Sequence, residues 1–291
     1  MQVELRDVRF DRDGRRVLDI AALQLRSGAI TAILGPNGSG KTTLLRLIAG
    51  LERPRSGTVH VGDGDVVPGR DVAYLFQEQV FLRRSVRENL ELGLRMRGVT
   101  ETEVRKRIDE ALSLLGISHL LDRRADRLSG GEGRRVDLAR ALCLRAPLVL
   151  LDELPHVLSV FDATTVLVTH SRDEAFRLAD DLVVIVDGRV LAAGDKRMVA
   201  ANPRVAGVAD VLGYTVIVVD GRTVAVPPHA WSIATDGWAM HVDGVLDLVD
   251  WQEVVGRIGT TTVRIPIQCG KQVPSRGERV HVRADSLYEL E

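Results

Sequence analysis

Ile30-Thr31-Ala32-Ile33-Leu34-Gly35-Pro36-Asn37-Gly38-Ser39-Gly40-Lys41-Thr42-Thr43-Leu44-Leu45 is an apolar run, a glycine-rich loop and the opening of a helical pattern, in that order. The loop from Gly35 to Thr42 fits G-x-x-x-x-G-K-[ST]. Its glycines let the backbone wrap so that successive N–H groups face phosphate oxygens. Lys41 adds a cation for the β- and γ-phosphates, and the Thr42 hydroxyl is a ligand for Mg²⁺. A helix starting near Lys41 turns its positive dipole end toward the same anion. Leu44, Leu45, Leu47 and Ile48 supply the apolar face of that helix. A strand, a loop and a helix in this order are what triphosphate binding requires.

Downstream, Leu128-Ser129-Gly130-Gly131-Glu132 leads into a stripe of Val136, Leu138, Ala139 and Leu142 at helical spacing. Taken alone, Ser129 to Glu132 is a capped helix start, with Glu132 completing a capping box. Leu148-Val149-Leu150-Leu151 follows as a buried-strand run and ends in Asp152-Glu153. A phosphate loop, then S-G-G-E before a helix, then an apolar strand ending in two carboxylates resembles the ATP-binding subunit of ABC transporters. The resemblance implies an α/β P-loop ATPase domain over residues 1–202, with a helical subdomain at about 78–130, and ATP and Mg²⁺ as cofactors. It assigns Gly35, Pro36, Asn37, Gly38, Ser39, Gly40, Lys41, Thr42 and Thr43 to ATP. Leu128, Ser129, Gly130, Gly131 and Glu132 would be the signature that meets ATP held by a second copy in a head-to-tail dimer.

Further positions carry over one at a time. Gln77, closing Val72-Ala73-Tyr74-Leu75-Phe76, resembles the Q-loop glutamine, whose amide ligates Mg²⁺ or orders water and whose following loop touches the membrane partner. Asp152 resembles the Walker B aspartate that holds Mg²⁺ through water, so Thr42, Gln77 and Asp152 form the expected metal set. Glu153 resembles the general base that polarises the attacking water. His170, ending Val166-Leu167-Val168-Thr169, resembles the switch histidine near the γ-phosphate. Phe10 is a candidate to stack on adenine, with a core role as the alternative. The family also implies permease membrane subunits as partners, a solute-binding protein indirectly, and a place at the cytoplasmic face of the cell membrane.

One stretch departs from that pattern. Only Leu154 to Thr164, eleven residues, separate Glu153 from the next strand. A parallel crossover needs roughly a dozen or more. The serine and aspartate of the D-loop are absent, and Leu151-Asp152-Glu153-Leu154 reads equally well as the end of the Walker B strand or of the missing helix. A nucleotide-binding remnant with impaired hydrolysis is therefore the competitor to a working ATPase.

Composition fits the same reading. In 291 residues, 39 Lys and Arg nearly balance 40 Asp and Glu, which argues against a dedicated nucleic-acid binder. Cys143 and Cys269 have no metal-type spacing and read as reduced thiols. The N-terminus has no signal-peptide pattern, and no apolar run approaches the ~20 residues that span a bilayer, so a transport pore is expected in another chain. Lys41 and Ser129 stand 88 positions apart without sustained heptads, unlike chromosome-maintenance and repair ATPases with their long coiled coils. One cassette rather than two separates the chain from ribosome-acting relatives.

The expected strands lie near Val3–Phe10, Ala22–Leu25, Ile30–Leu34, Thr58–Val61, Asp71–Phe76, Leu148–Leu151, Thr165–Thr169, Leu182–Val186 and Val190–Ala193. The expected helices are Lys41–Ala49, Val86–Arg95, Glu101–Leu115, Gly131–Leu144, Arg172–Ala179 and Lys196–Ala201. Asp187-Gly188 signals a hairpin and Asn202-Pro203 a domain break. From 205 to 291 the texture is β-rich, with turn signals at Asp220-Gly221, Pro227-Pro228 and Asp243-Gly244. This tail resembles the small all-β OB/TOBE-like barrel of importer ATPases for molybdate, tungstate, sulfate, iron, polyamines or sugars. Its single-barrel length favours an oxyanion such as molybdate or tungstate, with a purely dimerising role as the alternative.

Overall fold

Alternation of apolar and polar residues makes the first two strands. β1 (Val3–Arg12) and β2 (Arg15–Leu25) pair antiparallel from Val3–Leu25 to Arg12–Arg15, burying Val3, Leu5, Val8, Leu18, Ile20 and Leu23 on one face. Their pairing begins earlier on β2 than the apolar word Ala22–Leu25 suggested, because the turn at Asp13-Gly14 sits at positive φ and lets polar residues extend the ladder. The computed structural model describes residues 1–62, 71–152, 163–201, 203–219, 221–247, 251–268 and 273–290. Contacts divide the chain into two units, Met1–Lys196 and Arg197–Glu291.

In the first unit, β3 (Ile30–Leu34) feeds through the glycine-rich loop into α1 (Lys41–Ile48). β4 (Ser56–Val61) then joins β1, giving the order β2-β1-β4. β5 (Val72–Leu75), α2 (Val86–Met96), α3 (Glu101–Leu114), α4 (Gly130–Leu144), β6 (Leu148–Asp152), β7 (Thr164–Val168), α5 (Arg172–Leu178), β8 (Asp181–Val186) and β9 (Arg189–Asp195) follow. The six-stranded sheet has the order β5-β6-β7-β3-β8-β9, parallel except for the antiparallel β8–β9 hairpin. β6 and β7 are buried along their whole length, as a parallel sheet covered on both faces demands. Asp187 and Gly188, both at positive φ, turn the hairpin.

α2, α3 and α4 make a core of their own around Val86, Leu90, Leu94, Val104, Ile108, Val136 and Ala139. α4 works on two sides. Val136, Ala139 and Cys143 face this helical core, while Leu138 and Ala141 pack with Val149, Leu151 and Leu167 of the sheet. Cys143 is 1% exposed, and burial pushes its thiol up to about 12, so it is an inert core thiol. Cys269 lies outside the described residues.

α6 (Lys196–Ala201) leads into the second unit and is followed by a helix that the β-rich texture concealed, α7 (Ala206–Val211). β10 (Thr215–Val219), β11 (Arg222–Val226), β12 (Trp231–Ala234), β13 (Trp238–Asp247), β14 (Trp251–Ile258), β15 (Thr261–Gln268), β16 (Arg279–Ala284) and β17 (Tyr288–Glu289) follow. They form two sheets, β10-β11-β17 and β12-β16-β13-β14-β15. Trp231 and Trp238 meet edge to face at 5.7 Å over a core of Met240, Val242, Val254, Val263 and Ile265. Asp243-Gly244 is not a turn. β13 runs through it, and the register shifts between Val242 and Gly244, the extra residue of a bulge in a continuous strand. Pro228 instead opens a single 3₁₀ turn to Ala230. Asn202 and Asp220 lie outside the described residues.

Candidate functional site

The carboxyl ends of the parallel strands are where an open α/β sheet presents ligands, and β3, β6 and β7 all end at one cavity. It has a volume of about 490 Å³ and is lined by Asn37, Gly38, Gly40, Lys41, Thr42 and Thr43 from the loop and helix. Gln77, Asp152, Val168, Arg12 and Val17 complete it. Lys41, 9% exposed, donates from Nζ to the carbonyls of Gly35 at 2.8 Å and Pro36 at 2.9 Å. The loop is fixed from outside as well. A Cβ at Gly35 would run into the Ile185 carbonyl. The Gly188 N–H donates to the Ser39 carbonyl at 3.1 Å, and the Gly188 carbonyl accepts from Asp19 N–H at 2.9 Å. The β8–β9 turn thus props the loop against β2.

At the other end of the cavity Asp152 is 6% exposed. The Thr42 hydroxyl donates to its Oδ1 at 3.1 Å and the Tyr74 hydroxyl to its Oδ2 at 3.3 Å. Burial, reinforced by the Asp152 carboxylate, pushes the Tyr74 phenol well above its ordinary range, so it remains a protonated donor at neutral pH. Hydroxyl and carboxylate oxygens side by side are the hard donor set that suits Mg²⁺, which takes few protein ligands and completes its shell with water and phosphate oxygens. Among the described residues no cluster of three or more His, Cys, Asp or Glu side chains could hold a metal alone. The Ser39 hydroxyl is buried within the loop and lacks a hydrogen-bond partner among the described residues. The loop therefore fits a polyanion and the Thr42–Asp152 pair fits its cation.

The candidates divide in space. Gly38, Gly40, Lys41, Thr42, Thr43, Gln77 and Asp152 line one cavity. Phe10 does not: it packs half-buried against the core of the first sheet, with the Arg12 guanidinium 5.5 Å from its ring centroid. Arg12 and Val17 take the rim instead. The β1–β2 register shifts between Phe10 and Asp11, and the extra residue is Val17 on β2, itself part of the cavity lining. Arg12 is held by Glu52 at 2.7 Å. His170 is exposed just beyond β7 and is not among the lining residues. Glu153 lies outside the described residues.

Ser129, Gly130 and Gly131 are exposed at the start of α4, where a Cβ on either glycine would meet nothing within 4 Å. The capping box is formed: Ser129 Oγ accepts from Glu132 N–H, and the Glu132 carboxylate accepts from Ser129 N–H at 2.8 Å. That backbone bond, with the Ser129 hydroxyl and Arg123, holds the Glu132 carboxyl below its usual range. The segment leaves an open backbone surface at a helix N-terminus, separate from the cavity of its own chain.

Comparison with known proteins agrees with this geometry. Residues 18–155 match the ABC transporter family. The tungstate uptake system ATP-binding protein TupC of Peptoclostridium acidaminophilum is 38% identical over 207 residues, covering 65% of this chain and 97% of that protein. The Fe(3+) ions import ATP-binding protein FbpC of Escherichia coli K12 is 35% identical over 222 residues, covering 69% of this chain and 64% of that protein. The sulfate/thiosulfate import ATP-binding protein CysA of Synechococcus elongatus is 39% identical, with 62% of this chain and 59% of that protein covered. The chain thus spans less than two thirds of the iron and sulfate relatives. Among solved structures, cbiO1 from Clostridium perfringens, part of the ABC transporter complex cbiONQ, superposes with a TM-score of 0.60 at 27% identity. That match covers 69% of this chain and 91% of that one. An ATP binding subunit of an ABC transporter gives 0.64 at 25% identity, over 69% and 92%.

Proposed function

The chain belongs to the family of ABC transporter ATP-binding subunits, and on that premise we propose that it binds and hydrolyses MgATP to power an importer for a small solute. The observation that carries the proposal is the convergence of Lys41, Thr42, Gln77 and Asp152 on one cavity at the ends of β3 and β6. Lys41 exchanges its two loop carbonyls for the β- and γ-phosphates. Thr42, Gln77 and Asp152 would hold Mg²⁺, which would supply charge neutralisation for the phosphate oxygens. Glu153 accepts a proton from the attacking water, His170 reaches the γ-phosphate, and the products are ADP and phosphate. At the rim the planar Arg12 guanidinium, backed by Phe10 and held by Glu52, is suited to stack on adenine, with Phe10 as support rather than contact. Leu128 to Glu132 serve the ATP of a second copy: an exposed helix N-terminus is an anion site that this chain's own cavity does not use.

Tyr74→Phe tests the metal end. The variant removes a donor that orients Asp152, and loss of such an outer partner costs about tenfold or more in metal affinity. The half-saturating Mg²⁺ or Mn²⁺ concentration, titrated against protein with bound ATP, should rise by that factor while metal-free ATP binding stays unchanged. An unmoved metal titration would remove Tyr74 from the site.

Exposed Phe76, Val80 and Leu82 lie close to Gln77 in sequence and suit an apolar permease surface, which would hold the chain at the cytoplasmic face of the membrane. None of the helices among the described residues is long and apolar enough to cross it. For residues 205–291 we favour a TOBE-like regulatory module, supported by its two small antiparallel sheets. The solute reading leans to tungstate or molybdate, since the tungstate relative is matched over nearly its whole length, with iron, sulfate and polyamine as alternatives.

The eleven-residue connection after Glu153 supports a second reading, a subunit that binds MgATP but turns it over poorly. Misplacing a catalytic group by 1 Å costs on the order of a hundredfold in rate. Phosphate release should therefore be slow in the chain as it stands and rise by about that factor when a family-like D-loop and helix are inserted after Glu153. Equal, brisk turnover in both would establish the fully active reading.

A further inference from the structure

One face of α4 meets the stretch just beyond Gln77 at Gly133 and at Arg140. At Gly133 a Cβ would collide with the Gln79 side-chain oxygen, and Phe81 Cε2 lies 3.5 Å from the same position. One turn on, Asp137 is 1% exposed and is paired with the Arg140 guanidinium. Arg140 in turn donates from Nη1 to the Val80 carbonyl at 2.9 Å and lies 5.5 Å from the centroid of the Phe81 ring. The far end of the stretch is tied to the helical core independently: Leu82 N–H donates to Asn89 Oδ1 at 2.8 Å, and Asn89 Nδ2 donates to the Leu82 carbonyl at 3.1 Å.

Positions 133, 137 and 140 fall on one helical face, and that face starts one turn beyond Ser129. A buried carboxylate is costly unless paired. Asp137 therefore fixes the Arg140 fork in place, while Nη1 donates to the Val80 carbonyl and the flat face lies toward the Phe81 ring. An arginine suits this double duty, stacking and donating at once. A lysine could do only one of the two.

We propose that Arg140, anchored by Asp137, is a positioning residue that straps residues 79–81 to α4, so that the stretch after Gln77 moves as one body with the helix that carries Ser129. The strap is a matter of this chain's geometry. Its consequence, that movement of Ser129 on nucleotide is delivered to exposed Val80 and Leu82, rests on the proposed function above.

The test places nitroxide labels at exposed Val80 and Arg135, as Val80→Cys and Arg135→Cys in a Cys269→Ser background, and measures their separation by electron resonance. Cys143, buried and unreactive, stays. The doubly labelled parent should give a single narrow distance, unchanged by MgATP. Arg140→Ala should lose it to a broad distribution, while Arg140→Lys, keeping a donor for the Val80 carbonyl, should fall between. Phe81→Leu leaves the Asp137–Arg140 pair intact and should broaden the distance at a smaller cost in Tm than Arg140→Ala, since Phe81 packs only in part against the helical core. It decides the matter alone if Arg140→Ala fails to fold. MgATP affinity should be the same in every folded variant. A distance as narrow in Phe81→Leu and Arg140→Ala as in the parent overturns the strap. Absence of MgATP binding in the parent would overturn the proposed function instead and leave the nucleotide-free distances to judge the strap.

Discussion

Lys41→Ala abolishes ATP binding measurable by calorimetry. Lys41 is the loop's cation and is preset by the Gly35 and Pro36 carbonyls, so the β- and γ-phosphates lose two charge-assisted contacts. At roughly 1.5–3 kcal/mol each, their loss weakens affinity by about a hundredfold or more. The substitution leaves α1 intact, since alanine is the best helix former, and the thermal unfolding curve should hardly move. Affinity equal to that of the parent would remove the phosphate role from the loop.

Glu153→Gln separates binding from chemistry. The amide keeps the shape of the carboxylate and loses its basicity, so MgATP affinity should persist while turnover falls by about 10²–10⁴-fold, the usual contribution of a positioned base. Single-turnover phosphate formation, read after an acid quench, is the measurement, since it does not depend on product release. A variant that hydrolyses like its parent would show that the carboxylate following Asp152 does not act on water. It would point to the reading in which the Asp-Glu word belongs to the segment beyond a deletion.

Much of the first unit was legible because its signals are local. Ile30–Leu34, the glycine loop and Leu44 to Ile48 change period where the chain changes element, and the Ser129–Glu132 box marks its helix by side-chain chemistry alone. What escaped depends on pairing. The bulge at Val242–Gly244 and a turn use the same Asp-Gly word, and only the partner strand distinguishes them. Arg12 and Val17 meet at the cavity rim beside the register shift of the β1–β2 pair, which no pattern within β1 reveals. Tyr74 read as one member of an apolar run, yet its hydroxyl meets Asp152 from the neighbouring strand. The strap at Arg140 likewise joins residues sixty positions apart in sequence.

The turn at Asp187-Gly188, holding Ser39 on one side and Asp19 on the other, also orders events in time. The phosphate loop is complete in sequence before residue 43 emerges from synthesis, yet two of its external supports, Ile185 and Gly188, are made only after nearly the whole first unit has been translated. Contacts of such long sequence separation close late, because the entropy of the intervening chain must be given up first. A nascent chain stalled ahead of β8 should therefore carry every residue of the glycine loop and still fail to retain nucleotide. Competence for ATP would arrive abruptly, as a product of the hairpin's closure rather than of the loop's own synthesis.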